Sequence, residues 1–141
     1  MKTNIIIITL CVSVLSGKVF SQGSIEVTVK NIKEAKGNIR VGLFNSEADF
    51  LEKAIEGKVV KTTGTEVTVV FENLKPGDYA VSIIHDENEN GDLDKNFMGI
   101  PKEGFAFGNN AMGTFGPPDF KEAKVSVGNE KVKQVISMKY M

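Results

Sequence analysis

Leu74-Lys75-Pro76-Gly77-Asp78-Tyr79-Ala80-Val81-Ser82-Ile83-Ile84-His85-Asp86 is the stretch whose reading decides the fold. Pro76 and Gly77 stand at the second and third places of a four-residue turn over 75–78, the pattern of a type II turn. A strand over 79–85 follows at once. Its apolar residues fall on both faces, Tyr79, Val81 and Ile83 on one and Ala80 and Ile84 on the other. A strand with two apolar faces belongs in the middle of a sheet that is covered on both sides.

The chain leaves this strand into His85-Asp86-Glu87-Asn88-Glu89-Asn90-Gly91-Asp92-Leu93-Asp94, with five carboxylates between Asp86 and Asp94 and no basic residue among them. Upstream, residues 24–30 and 38–44 alternate apolar and polar, as half-buried strands do, with Ile25, Val27 and Val29, then Ile39, Val41 and Leu43, facing inward. Ser46 with Asp49 forms a capping pattern ahead of Phe50, Leu51, Ala54 and Ile55, which share one helical face before Gly57, so a helix of two to three turns is expected there. Residues 58–62 and 65–73 read as a hairpin about Thr63-Gly64, with Val60 opposite Val67 and Lys61 opposite Glu66.

Downstream, periodicity vanishes from residue 97 to residue 120, a segment with five of the nine Phe and five of the fourteen Gly. Phe97, Phe105, Phe107, Phe115 and Phe120 carry too much apolar surface for a solvated chain, so a packed Ω-like loop is expected. Residues 121–127 and 130–140 then read as a closing hairpin about Gly128-Asn129, with Val125 opposite Val132. Short strands at regular spacing with one helix predict an all-β fold, an antiparallel β-sandwich over residues 22–141. An outer-membrane barrel fits poorly, because the strands are short and the Gly/Phe segment offers no lipid-facing band.

The first 21 residues set the compartment. Lys2, an apolar block over 5–15 and the small residues Val19 and Ser21 before Gln22 form a secretory signal peptide with cleavage after Ser21, which implies export to the periplasm or beyond. No second hydrophobic segment follows, so no transmembrane helix is expected after cleavage. Cys11 is the only cysteine and lies in that leader, which leaves the remainder with neither disulfide, thiol nucleophile nor cysteine-type zinc site. Lys2 and Lys18 are the leader's only charges, so the rest keeps 15 of the 17 basic residues against all 18 acidic ones, a net charge of −3. That mild acidity does not suggest a nucleic-acid partner. The expectation is a monomer that meets an envelope protein, a peptide or a glycan.

The turn and strand over 74–86, then Asn-Glu-Asn-Gly-Asp-Leu-Asp (88–94), Met-Gly-Ile-Pro-Lys-Glu-Gly-Phe-Ala-Phe-Gly-Asn-Asn-Ala-Met-Gly (98–113) and Gly-Pro-Pro-Asp-Phe (116–120) resemble the exported bacterial proteins catalogued as domain of unknown function 2141. The resemblance covers essentially all of the chain after the leader. It implies a small secreted or periplasmic β-sandwich of transthyretin-like or immunoglobulin-like type from a Gram-negative bacterium, and brings no known activity. Fold by itself does not give function.

The acidic stretch carries the clearest chemistry. Hard cations take oxygen ligands, and Asp86, Asn88, Asn90, Asp92 and Asp94 present oxygens at alternate positions with Gly91 in the sixth place, as in the first half of an EF-hand loop. Asp92 would contribute its backbone carbonyl. The twelfth place, where that loop needs a bidentate Glu, is Phe97, so Glu103, Asp119 or water would have to complete a weak calcium site. The plain alternative is a solvated hairpin tip turning at Asn90-Gly91.

His85 is the only histidine. It cannot build a zinc site alone, and Ser82, the nearest serine in sequence, sits on the opposite face of the strand, so a Ser-His-Asp triad is disfavoured. Carboxylates for glycan hydrolysis could be drawn from Asp86, Asp92, Asp94 and Glu103, although nothing in a sequence sets their separation. His85, Phe105, Phe107, Asn109 and Asn110 are the candidates to face a ligand. A non-enzymatic module is the first expectation, and a small carboxylate-dependent hydrolase of extracellular glycans the second.

Overall fold

The structure, a computed structural model, describes residues 22–141, and the expected leader with its cleavage point lies outside the described residues. Along the chain run β1 (Gly23–Lys30), β2 (Asn38–Phe44), β3 (Glu56–Lys61), β4 (Val67–Leu74), β5 (Gly77–Asp86), β6 (Gly104–Phe107), a four-residue helix α1 (Phe120–Ala123), β7 (Lys124–Val127) and β8 (Lys131–Ser137). One sheet has the order β4-β1-β8. The other has β3-β2-β5-β6, with β7 also paired to β5. The fold is therefore all-β, two antiparallel-rich sheets in a sandwich and not a closed barrel, with one parallel pair between β1 and β8.

Alternation in the sequence explains the layers. Ile25, Val27 and Val29 of β1, Ile39, Val41 and Leu43 of β2 and Phe71 of β4 fill the space between the sheets, all but fully buried. Each such side chain contributes about 1.5–3 kcal/mol on leaving water. Strand β5 is central, between β2 on one side and β6 and β7 on the other. Its Tyr79, Val81 and Ile83 join the inter-sheet core. Ala80 on its other face packs in a second cluster with Phe44, Phe105, Phe107, Phe120 and Ala123. The strand is central as expected, but its second face is buried only in part: Ala80 is covered, whereas Ser82 and Ile84 are half-buried.

Both expected hairpins are corrected. β3 pairs with β2, setting Val60 against Ile39 and Lys61 against Asn38, while β4 pairs with β1, setting Val67 against Val29. Residues 62–66 thus cross between sheets, held by hydrogen bonds from Thr62 N–H to the Gly37 carbonyl (3.0 Å) and from Ile32 N–H to the Thr65 carbonyl (3.1 Å). In the same way Val125 of β7 lies against Tyr79, and Val132 of β8 against Ile25. Alternation fixes the face that a side chain takes, but says nothing of which strand lies alongside, so a short connection can serve either arrangement.

Three local expectations also change. Residues 47–52 form successive turns rather than a helix. The Ser46 Oγ–Asp49 cap is present, but Leu51 adopts a left-handed conformation (φ 64°) that stops the helical path, and the Ile55 N–H bonds the Leu43 carbonyl at 2.8 Å and leads into β3. Before β5 the left-handed residue is Asn73 (φ 57°) and Gly77 is already in the strand, so residues 75–78 are not a type II turn, which needs positive φ at Gly77. The Gly/Phe segment is not structureless, because β6 lies within it beside β5. Phe105, Phe107 and Phe120 are buried as expected, whereas Phe97 and Phe115 stand fully exposed.

These pairings can be tested by cross-linking. Asp78 and Ser126 are opposite one another on β5 and β7. An Asp78→Cys/Ser126→Cys variant should form an intramolecular disulfide on mild oxidation, visible as a gel shift reversed by reductant. A Val125→Cys/Val132→Cys variant, built on the hairpin register, should not.

Candidate functional site

The acidic loop begins where β5 is still inside the protein. Asp86, the last residue of that strand, is completely buried. Gly37, at φ 65°, passes so close that a Cβ there would lie 2.1 Å from the Asp86 carbonyl oxygen, which excludes any other residue. A buried carboxylate needs hydrogen bonds or a countercharge. Asp86 has both: Oδ1 accepts from Asn90 N–H (3.1 Å), Oδ2 accepts from Gly91 N–H (2.8 Å), and an Arg40 guanidinium nitrogen lies 3.7 Å from Oδ2. The turn at Asn90-Gly91 is therefore folded back onto the strand end.

A second buried carboxylate closes the loop. Glu103, immediately before β6, accepts from Glu87 N–H through Oε1 and from Asp94 N–H through Oε2, both at 3.0 Å. One side chain thus clasps both ends of the loop. Between them Asn88 and Asn90 donate their side-chain amides to the two oxygens of Asp94, and their own oxygens accept from the backbone N–H groups of Asn90 and Asp92. Asn88, Asn90 and Asp94 are brought together. Asp92 is exposed, and Asp119 is instead the cap of α1. Among the described residues, no group of three or more His, Cys, Asp or Glu side chains is placed to hold a metal ion.

His85 faces the inter-sheet side and is fully buried. Its Nε2 lies 2.7 Å from the Lys36 carbonyl, an acceptor only, so Nε2 carries the proton. Nδ1 then accepts from the Tyr140 hydroxyl at 2.9 Å, and that oxygen in turn accepts from Lys33 N–H at 3.0 Å. Every polar atom of the ring has its partner. Gly104 makes room for the tyrosine ring, since a Cβ there would lie 2.4 Å from it. Burial above all raises the Tyr140 pKa above the ordinary 10.0; the Lys33 N–H opposes this, and the charges of Glu87 and Glu34 add to it.

Asn109 and Asn110 are staples between segments. Asn109 donates to the Glu122 and Lys124 carbonyls and accepts from the Gln134 side chain, and Asn110 donates to the Val135 carbonyl and accepts from Ser137 N–H. Of the five residues expected to face a ligand, only Phe105 and Phe107 line the main cleft. That cleft, about 490 Å³, lies over the outer face of β5 and β6 between residues 93–101 and 112–117. Leu51, Ile84, Leu93, Met98, Ile100 and Met112 give it an apolar wall. Among the described residues Lys95 gives it its one charged side chain, and no Asp or Glu lines it.

The first wall is itself a small hairpin. Lys95 bridges Pro101, Lys102 N–H donates to the Asp94 carbonyl, and the Asn96 side chain accepts from Met98 and Ile100 N–H. Sequence reasoning named Phe105 and Phe107 of this cleft but missed its walls over 93–101 and 112–117, together with the structural parts of Arg40, Glu103 and Tyr140. The available signal was Met98 and Ile100, apolar residues in a Gly- and Pro-containing turn where polar ones are usual.

A family model described as "Uncharacterized protein conserved in bacteria (DUF2141)" matches residues 27–135. The chain belongs to this family. No curated protein and no solved structure matches it. The matched DUF2141 region takes in the acidic loop, its Glu103 clasp and most of the cleft wall.

Two outcomes follow for this DUF2141 chain. Asp86→Ala leaves two backbone N–H groups and Arg40 without their acceptor and should lower unfolding free energy by about 3 kcal/mol in urea titrations. Asp92→Ala, at an exposed position, should change it by less than about 0.5 kcal/mol. For Tyr140, the raised pKa means that the folded protein keeps a proton which the unfolded chain gives up near pH 10. Its stabilising contribution is complete below that pH and is lost as the pH rises through the folded value. Stability should accordingly fall above pH 10, and Tyr140→Phe should flatten that part of the profile.

Proposed function

We infer that the protein is an exported, non-enzymatic β-sandwich module that binds a ligand at the cell envelope through the apolar cleft over β5 and β6. The cleft carries this reading, for its size falls in the range of small-molecule sites, about 300–1,000 Å³, which are mostly apolar with few polar groups. Around it Phe97, Met98, Met112 and Phe115 are exposed, an apolar surface of the kind that marks binding sites. The leader-like sequence of residues 1–21 supports export. The hydrolase reading has no such support. Asp86 and Glu103 are engaged by backbone N–H groups, and among the described residues no Asp or Glu lines the cleft.

A calcium ion in the acidic loop is part of the proposal. Asn88, Asn90 and Asp94 already converge there, and the ion would displace the amide protons that Asp94 now accepts. Asp86, bonded to two N–H groups beside Arg40, would serve as the loop's anchor rather than as a ligand. Affinity in the millimolar range is expected, as in extracellular modules.

Titration of the purified protein with the neutral apolar dye N-phenyl-1-naphthylamine should give saturable fluorescence at one site. Ile100→Asp, at a partly exposed position of the cleft wall, should weaken it about fivefold or more. Absence of saturable binding would overturn the cleft reading. Millimolar calcium should raise the melting temperature of the wild type and not of Asp94→Ala; an unchanged wild type would remove the ion.

A further inference from the structure

We propose that the cleft takes a free, single-chain amphiphile with one anionic head group, of the fatty-acid class, and that Lys95 meets the head group. This rests on the cleft being a ligand site. The apolar part of the argument is the wall formed by Ile84, Leu93, Ile100, Phe105, Phe107 and Met112, residues without hydrogen-bonding side chains. Such a surface gains from covering a hydrocarbon chain, and offers little to a sugar or a charged peptide, whose polar groups would go unpaired.

The charged part is Lys95. Among the described residues it carries the only charged side chain of the lining, is itself exposed, and forms no ion pair. The neighbouring carboxylate of Asp94 is turned to Asn88 and Asn90, and that of Glu103 to the ends of the acidic loop. An apolar cavity with one unpaired cation complements a molecule with one long apolar portion and one anion. Other side-chain polar groups in the lining are only the hydroxyls of Ser82 and Thr114, able to hydrogen-bond a carboxylate but adding no charge.

Lys95 is also well placed in the fold for this role. It lies one residue beyond Asp94, whose N–H and carbonyl are fixed by Glu103 and Lys102, and it bridges Pro101 across the small hairpin. The acidic loop thus holds the backbone from which the cation projects. The same clasp that closes the loop sets one wall of the cleft.

Isothermal titration of the purified protein with dodecanoate and with dodecanol, each below its aggregation concentration, separates the two parts. Dodecanoate should bind one to one and more tightly than dodecanol. Lys95→Glu should weaken dodecanoate about tenfold or more while changing dodecanol less than about threefold. Ile100→Asp should weaken both. Equal binding of the two compounds, or no selective effect of Lys95→Glu, would overturn the assignment of an anionic ligand and leave the apolar cleft standing. If neither compound bound while the neutral dye did, the fatty-acid class alone would be overturned; failure of all three would take the cleft reading with it. Two further results would overturn the proposal in favour of another occupant: binding only to vesicles containing anionic phospholipid, and dimerisation that Ile100→Asp abolishes.

Discussion

Asp86 is a carboxylate completely buried at the end of the central strand β5. Burial of such a group is tolerated only when its oxygens are satisfied, and here the satisfying donors are the N–H groups of Asn90 and Gly91 with the Arg40 charge nearby. The loop that follows is thereby obliged to turn back on itself. Glu103 meets the same requirement by taking the N–H groups of Glu87 and Asp94, so two buried acids organise a stretch that would otherwise be a solvated tip. Residues 94–102 leave this anchored loop as a small hairpin, and the cleft is the space which that hairpin encloses over β5 and β6.

The same economy is seen at His85. In a chain with one histidine the sequence invites a chemical role for it, but the ring is held between the Lys36 carbonyl and the Tyr140 hydroxyl, with no free nitrogen. It ties β5 to the turn before β2 and to the end of the chain. His85 and Asp86 are neighbours on opposite faces of one strand. The first secures the sandwich core and the second the loop, so both residues at the end of β5 are held by hydrogen bonds from outside the strand.

Much of this was legible in the residues, and the part that was not has a common cause. Two-sided apolarity in 79–85 was enough to make β5 central, and alternation in 24–30 and 38–44 gave β1 and β2 with their inward faces. The hairpins about Thr63-Gly64 and Gly128-Asn129 were misread because Val60, Val67, Val125 and Val132 announce a face and not a neighbour. The helix at Ser46 had a true cap, yet tertiary packing drew Leu51 into the second cluster in a left-handed conformation. Alternating oxygens showed that 86–94 is a built loop. They could not show that Glu103, from beyond the next hairpin, would close it through backbone N–H groups, since such long-range bonds leave no periodic trace.

The central claim is that the acidic loop is fastened into the sandwich through Asp86 and Glu103 and so fixes the wall of the cleft. Native-state amide hydrogen exchange tests it most directly, because the N–H groups of Glu87, Asn90, Gly91 and Asp94 are the ones those carboxylates hold. They should exchange nearly as slowly as the amides of β5, and Glu103→Ala should release those of Glu87 and Asp94. Exchange of all four at the rate of a free loop in the unaltered protein would contradict the account.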